Sequence, residues 1–290
     1  MPQQLQQNQM NAYGYMPQNL LVNPGFEIWQ RGAGPFAVTL DYTADEWRSS
    51  FSSGTMSVSQ ESSIVHGGVS SLKIVDNTSG TGGINQGVEI YSSLEGLWLT
   101  FSVDVYSSLA TTVAYVGDWT SAQELELSDY HTGSGGWERL TVTKLIRSGL
   151  GTPPSSWPHL FSIRVGVAAG SAGTIYLDNA SLVIGNFPDG VPFIPLNPAE
   201  DQARCERFFE ETNVYLAGYS SGAGSNNWAS QSPYHTRKYA TPTLTGNLVA
   251  SLNCTKGSTI ALSEDIARQA FNTSGVGNWY GAVDIAAEVT

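Results

Sequence analysis

Charge is scarce in this chain. Only 13% of its 290 residues are Asp, Glu, Lys or Arg, about half the ~25% of an ordinary globular protein. The charge present is one-sided, 13 Lys plus Arg against 25 Asp plus Glu, for a formal net charge of −12 at pH 7. A surface of that sign repels phosphate backbones, which excludes nucleic acid as the main partner. Cysteine is nearly absent: Cys205 and Cys254 are too few for a disulfide framework and too far apart for a metal knuckle. One bridge between them stays open, and two separate buried thiols is the preferred reading. No apolar run reaches the roughly eighteen residues that span a bilayer, so membrane insertion is not expected. The opening MPQQLQQNQMNAYGYMPQ lacks the basic start and apolar middle of a signal peptide. Signal-dependent export is therefore not expected, and the sequons at Asn77, Asn179, Asn253 and Asn272 read as chance matches.

Catalytic signatures are missing as well. His66, His131, His159 and His235 form neither H-E-x-x-H nor H-x-H, and no Ser sits in G-x-S-x-G. RSGLG (147–151) lacks the Gly-Lys-[ST] of a phosphate loop. Glu124, Glu126 and Asp129 in ELELSD could be taken for a glycosidase pair, yet nothing around them raises a carboxyl pKa, and a solvated strand face is expected instead. The chain reads as a non-enzyme. HTRKY (235–239) is a small basic cluster, suited to pairing with acidic residues across a subunit boundary or to a soluble turn.

What is abundant is Gly, Ser, Thr and aromatics, with eight Trp, thirteen Tyr and ten Phe. Such a composition suits sheets joined by many turns. Residues 1–19 form an uncharged Gln- and Asn-rich arm with no core of its own, either a disordered leader or an arm that clasps a neighbour. From 20 to 185 the apolar period is two. It runs through SLKIVD (71–76), GVEIYS (87–92), LWLTFSVDVYSS (97–108), TTVAYVGDW (111–119), ERLTVTKLI (138–146), LFSIRVGVAA (160–169) and GTIYLDNASLVI (173–184), with HGG, SGTGG, GSGG and GTPPSS between. The fold class expected is all-β, a jelly-roll β-sandwich with a shared core.

Three prolines in residues 186–197 make a stiff linker. NPAEDQARCERFFEETN then reads as a helix of about four turns: Asn197 caps it, Pro198 takes the first position, and Glu200 stands where a capping box needs it. Its apolar face, Cys205, Phe208 and Phe209 with Ala203 beside them, must bury against the following domain or another subunit, so these four are the candidate assembly residues. Residues 198–290 are expected to form this helix plus a second small β-rich domain. Aromatics that could stack on a sugar are Tyr106, Tyr115, Trp119, Tyr130 and Trp137, or they close sandwich edges. Trp119, Trp137, Tyr115 and Tyr130 are kept as the ligand-binding candidates.

NLLVNPGFE with Trp29, YTADEW (42–47), HGGVSSLKI (66–74) and GTIYLDNASLVI, in that order, resemble the non-catalytic carbohydrate-binding jelly rolls and their galactose-binding-like relatives. Over the whole chain, NLLVNPGFEIWQRG, YTADEW, PAEDQARCERFFE, HTRKYATPTL and AAEV resemble phage tail-fibre, head-fibre and related virion proteins. The resemblance implies a virion structural protein, a head or tail fibre or decoration, assembled in the host cytoplasm, most often as a homotrimer. It would dock on other virion proteins through the arm and contact host-surface glycans. Alternatives are a free carbohydrate-binding module protein and, behind it, a glycan hydrolase. The jelly-roll resemblance also implies a structural Ca2+ held by Glu27, Asp178 and carbonyls near residues 66–70, since hard oxygen donors suit calcium. The residues themselves leave a second reading open, in which both carboxylates cap turns through backbone amides.

Overall fold

The computed structural model describes residues 17–37, 41–51, 56–77, 82–88, 94–119, 123–147, 161–167, 172–193, 195–220, 227–233, 242–252, 254–261, 266–273 and 277–288. The chain divides into two compact units, Met1–Leu196 and Asn197–Thr290. Among the described residues the first unit is a sandwich of ten strands: β1 (Arg48–Phe51), β2 (Met56–Glu61), β3 (Ser71–Asp76), β4 (Gly82–Gly87), β5 (Trp98–Ser107), β6 (Thr112–Trp119), β7 (Gln123–Leu127), β8 (Gly136–Leu145), β9 (Phe161–Val167) and β10 (Gly173–Ile184). They form two five-stranded antiparallel sheets in the orders β1-β4-β9-β6-β7 and β2-β3-β10-β5-β8. Consecutive strands repeatedly change sheet, as in a jelly roll.

Alternation decides which side chains enter the core. Leu72, Ile74, Phe101, Val103, Val105, Leu140, Val142, Ile175 and Leu177 face inward from one sheet, and Ile84, Ala114, Val116, Ile163 and Val165 meet them from the other. Each such large aliphatic contributes roughly 1.5–3 kcal/mol by leaving water. The all-β expectation holds, and β3 and β10 fall on the residues their alternation marks.

Of the strand expected over 87–92, Gly87 closes a strand at Gly82–Gly87 and Val88 follows it, while residues 89–92 lie outside the described residues. GGINQG shows little alternation because β4 pairs with both β1 and β9 and is buried along nearly its whole length. Leu20 and Val22 lie outside the strands. Side-chain amides take the place of ladder partners there: Gln86 Nε2 donates to Val22 O at 2.8 Å while its Oε1 accepts from Val22 N at 2.9 Å. Asn19 likewise belongs to the sandwich and not to a separate arm. Its Nδ2 donates to Ala180 O at 3.0 Å, and its Oδ1 accepts from Leu182 N at 3.0 Å and Leu21 N at 3.2 Å. The Pro-rich connector is tethered too, with Phe187 N donating to Thr100 Oγ1 at 3.0 Å and Arg139 Nε to Val191 O at 2.9 Å.

The second unit opens with α1 (Pro198–Glu206), followed by β11 (Phe209–Ser220), β12 (Asn227–Pro233), β13 (Thr243–Leu252), β14 (Cys254–Ala261), β15 (Ile266–Thr273) and β16 (Gly277–Glu288). Two three-stranded antiparallel sheets result, β11-β16-β13 and β12-β15-β14. Asn197 caps α1 by accepting from Ala199 N at 3.0 Å. Glu200, the expected second arm of a capping box, accepts instead from Arg204 at 2.7 Å. The helix is nine residues long, shorter than the four turns expected. Phe208 and Phe209 leave it because FEETNVYLAGYS, rich in β-branched and aromatic residues, pairs along its full length with β16.

Candidate functional site

The opening motif and YTADEW are two halves of one clamp. Asn23 adopts φ 48°, a conformation Asn tolerates better than most residues. Its Oδ1 accepts from Ile28 N at 3.0 Å, and its Nδ2 donates to Ile28 O at 2.8 Å and to Asp45 O at 3.4 Å. Trp47 Nε1 returns a hydrogen bond to Asn23 O at 2.9 Å, and its ring packs on Phe26 with centroids 4.6 Å apart. Arg31 closes the loop on Asp45 at 3.0 Å. The Asn, Phe, Trp and Arg of the motif therefore hold the chain at one end of the sandwich.

Glu27 and Asp178 both grip the turn at 66–70. Asp178 Oδ2 accepts from His66 N at 2.8 Å and Gly67 N at 3.0 Å, and its Oδ1 accepts from Asn179 N at 2.8 Å. Glu27 Oε1 accepts from Val69 N at 2.8 Å and Ser70 N at 3.5 Å, and its Oε2 from Ser70 Oγ at 3.3 Å. Asp178 is 1% exposed, and burial pushes its carboxyl up to about 6 against the pull of its three amides, with Glu27 adding to the rise. The turn aims N–H groups, not carbonyls, at both carboxylates. A Ca2+ ion needs six to eight oxygen donors, and the described residues contain no group of three or more Asp, Glu, His or Cys placed to hold a metal. This donor set does not fit calcium; it matches the reading in which amides satisfy the carboxylates.

A second network adjoins the clamp on the outer face of the β2-β3-β10-β5-β8 sheet. Asp104 accepts from Arg139 Nη1 at 2.7 Å and from Asn179 Nδ2 at 2.9 Å, and its Oδ2 lies 2.8 Å from His66 Nδ1. Trp137, a ligand-binding candidate, stacks on the His66 ring at 5.1 Å and meets Tyr106 edge-on at 5.8 Å. Tyr106 in turn meets Tyr176 at 5.6 Å. Trp137 is thus engaged with other rings on this sheet.

The remaining ligand candidates gather on the opposite sheet. Tyr115 points outward from β6, since its neighbours Ala114 and Val116 enter the core. Tyr130 is 52% exposed and close enough to Tyr115 to act on its hydroxyl. Trp119 pairs through its backbone with Gln123 at the end of β6; its side chain lies outside the described residues.

Strand register then adds four residues that the sequence reading passed over. Arg48 stands opposite Asn85, Asn85 opposite Arg164, Arg164 opposite Tyr115 and Tyr115 opposite Leu127. One row therefore crosses all five strands on the outer face. Arg164 Cζ lies 5.8 Å from the Tyr115 ring centroid, within cation–π range. Two atoms of this row are buried without a hydrogen-bond partner, Asn85 Oδ1 and Arg164 Nε. The one cue in the sequence was Arg164 itself, a charge in the middle of the apolar run LFSIRVGV.

Of the assembly candidates, Cys205, Phe208 and Phe209 are buried within this single chain and Ala203 is half-buried. Their apolar face is covered within the chain, the first of the two expected burials, and so does not by itself call for another subunit. Glu124's side chain is outside the described residues, and Glu126 is exposed on the edge strand β7.

No family model and no curated protein matches the chain. Among solved structures, it is similar to the C-terminal family 22 carbohydrate binding module of Clostridium thermocellum Xyn10B at 17% identity, over 55% of this chain and 98% of that one, with a TM-score of 0.39. It is similar to TmCBM61, solved in complex with β-1,4-galactotriose, at 19% identity over 58% of this chain and 99% of that one, with a TM-score of 0.38. Tailspike protein 4 of bacteriophage CBA120, in its enzymatically active domain, is similar at 13% identity over 57% of this chain but only 21% of that one, with a TM-score of 0.39.

Proposed function

We propose that this chain is a phage virion structural protein, a head or tail fibre or decoration, whose jelly roll binds a surface glycan without cleaving it. The glycan lies on the outer face of the β1-β4-β9-β6-β7 sheet. The observation that carries this reading is the cross-strand row Arg48, Asn85, Arg164, Tyr115, Leu127, which combines an aromatic ring with buried polar atoms lacking partners. A sugar offers what such a row accepts, C–H faces for the ring and hydroxyls for the polar atoms. The virion setting rests on the motif order from NLLVNPGFEIWQRG to PAEDQARCERFFE.

Binding without turnover fits the carboxylates. A glycosidase needs an accessible acid with a raised pKa. Asp178 has the raised value, yet it lies under the 66–70 turn with both oxygens engaged. The Ser63 hydroxyl and amide hold Glu61 down to about 2. At Glu138 burial works upward, but the Ser134 and Thr132 hydroxyls, the Thr132 amide and His131 outweigh it and hold the carboxyl at about 2.

Two measurements test the proposal. Mass spectrometry of purified particles should contain the protein, and purified protein should bind a polysaccharide on a glycan array without releasing sugar. Absence from particles with glycan binding retained would point to a free module instead. Presence without any glycan binding would end the binding half.

A further inference from the structure

Resting on the glycan-binding reading above, we propose that the ligand is an acidic saccharide. Its carboxylate is held by Arg164, and an adjacent sugar hydroxyl donates to Asn85 Oδ1.

Arg164 is the starting point. It is largely buried, and a guanidinium keeps its charge in any protein setting. Taking such a charge out of water is costly unless an anion or several acceptors compensate. Among the described residues it has no carboxylate partner; it is met by Ser50 O at a long 3.4 Å and by the Tyr115 ring at 5.8 Å. Nε is left with no acceptor. In a chain of net charge −12, acidic residues are plentiful, so a buried arginine without one marks a position kept for an anion from outside.

Asn85 supplies the second, independent observation. It is 4% exposed and its Oδ1 has no donor, although it stands directly opposite Arg164. The two unpartnered atoms are a donor and an acceptor that do not satisfy each other. One group carrying both an acceptor anion and a hydroxyl donor on neighbouring carbons satisfies both. A uronic or similar sugar acid has that arrangement, and a neutral sugar lacks the anion.

The flanks of the row are mostly glycine and serine. Ser50, Gly83, Gly166 and Val113 pair across on one side, and Gly87, Ser162, Gly117 and Leu125 on the other. A Cβ on Gly83 would come within 2.3 Å of Val165 O and 3.0 Å of Arg164 Nε, so no larger residue fits beneath the guanidinium. Tyr115, with Tyr130 near it, offers the ring faces on which the sugar would lie.

The test uses full-length protein and isothermal titration with polygalacturonate, alginate, hyaluronate and polysialic acid, each before and after chemical reduction of its carboxylates. We expect at least one native polymer to bind and its reduced form to bind about tenfold or more weakly, with affinity falling as salt rises. Arg164→Gln and Asn85→Ala should each weaken binding while circular dichroism confirms the fold. Arg164→Lys should retain part of it. Equal binding of native and reduced forms would overturn the acidic-ligand inference and leave glycan binding standing. No binding to any of these polymers, with neutral glycans bound on the array, would do the same. No binding to any glycan would remove the underlying reading as well.

Discussion

Glu27 and Gly68 share the space of one side chain: a Cβ built on Gly68 would lie 1.7 Å from Glu27 Oε1. Gly68 also has φ +62°, where side chains are strained. The carboxylate fills the place a Cβ would take and from there reaches Val69 N at 2.8 Å. Glu27 of the opening motif and the HGG turn thus require each other. Gly68→Ala should cost about 1–3 kcal/mol through strain and displaced hydrogen bonds. In chemical denaturation, Glu27→Ala in the same chain should recover part of that cost; no coupling between the two would count against this account.

Removing metal should leave the clamp intact. Because amides occupy the carboxylates of Glu27 and Asp178, dialysis against EDTA or addition of millimolar CaCl2 should not move the melting temperature. A rise of several degrees with calcium, with one equivalent bound by elemental analysis, would show that the turn rearranges to offer carbonyls.

Asp178 makes stability depend on pH with a definite sign. Its folded carboxyl is raised to about 6 from an ordinary 3.8, so the folded state holds a proton that the unfolded chain gives up. Stability from this group is fully present below the ordinary value and is lost as pH rises through about 6. Asp178→Asn should flatten the change in melting temperature over that window. An unchanged slope would mean that other groups set it.

Asn19 places the boundary of the arm. Asn19→Ala removes three hydrogen bonds to residues 21, 180 and 182 and should cost roughly 1–3 kcal/mol. Truncation through residue 19 should destabilise the sandwich by a similar amount, and truncation through residue 18 should not. Equal melting temperatures for the two truncations would return Asn19 to the arm.

Trp47 should be the costliest single truncation in the first unit. It is fully buried, packs on Phe26 and donates to Asn23 O, so Trp47→Ala should lose about 3–5 kcal/mol. Arg31→Ala, which removes a largely buried pair but leaves Asp45 the Gln30 amide, should lose less. Urea titrations with the opposite ranking would mean that the ion pair, not the ring, anchors the loop.

Much of this could be read along the chain because strands record their neighbours' water content locally. Alternation in SLKIVD and GTIYLDNASLVI follows from one face meeting the core, and Asn197-Pro198 marks a helix start by its own chemistry. The ordered motifs also announced that Glu27, Trp47, the HGG turn and Asp178 mattered. Their purpose was hidden, since whether a buried carboxylate meets a cation or an amide depends on which way the 66–70 backbone turns. GGINQG went unread as a strand because one with partners on both sides and burial nearly throughout carries little alternation.

Composition and period by themselves determined an all-β chain, a sandwich followed by a helix and more strands, because burial on one strand face writes a period of two into any such sequence. Only tertiary structure decided the site. Arg48, Asn85, Arg164 and Tyr115 lie on four strands far apart in the chain, and they become neighbours through register alone. Alternation fixes the face each of these side chains takes, but a slip of two residues keeps the face and parts the four, and no local pattern in the sequence specifies that register.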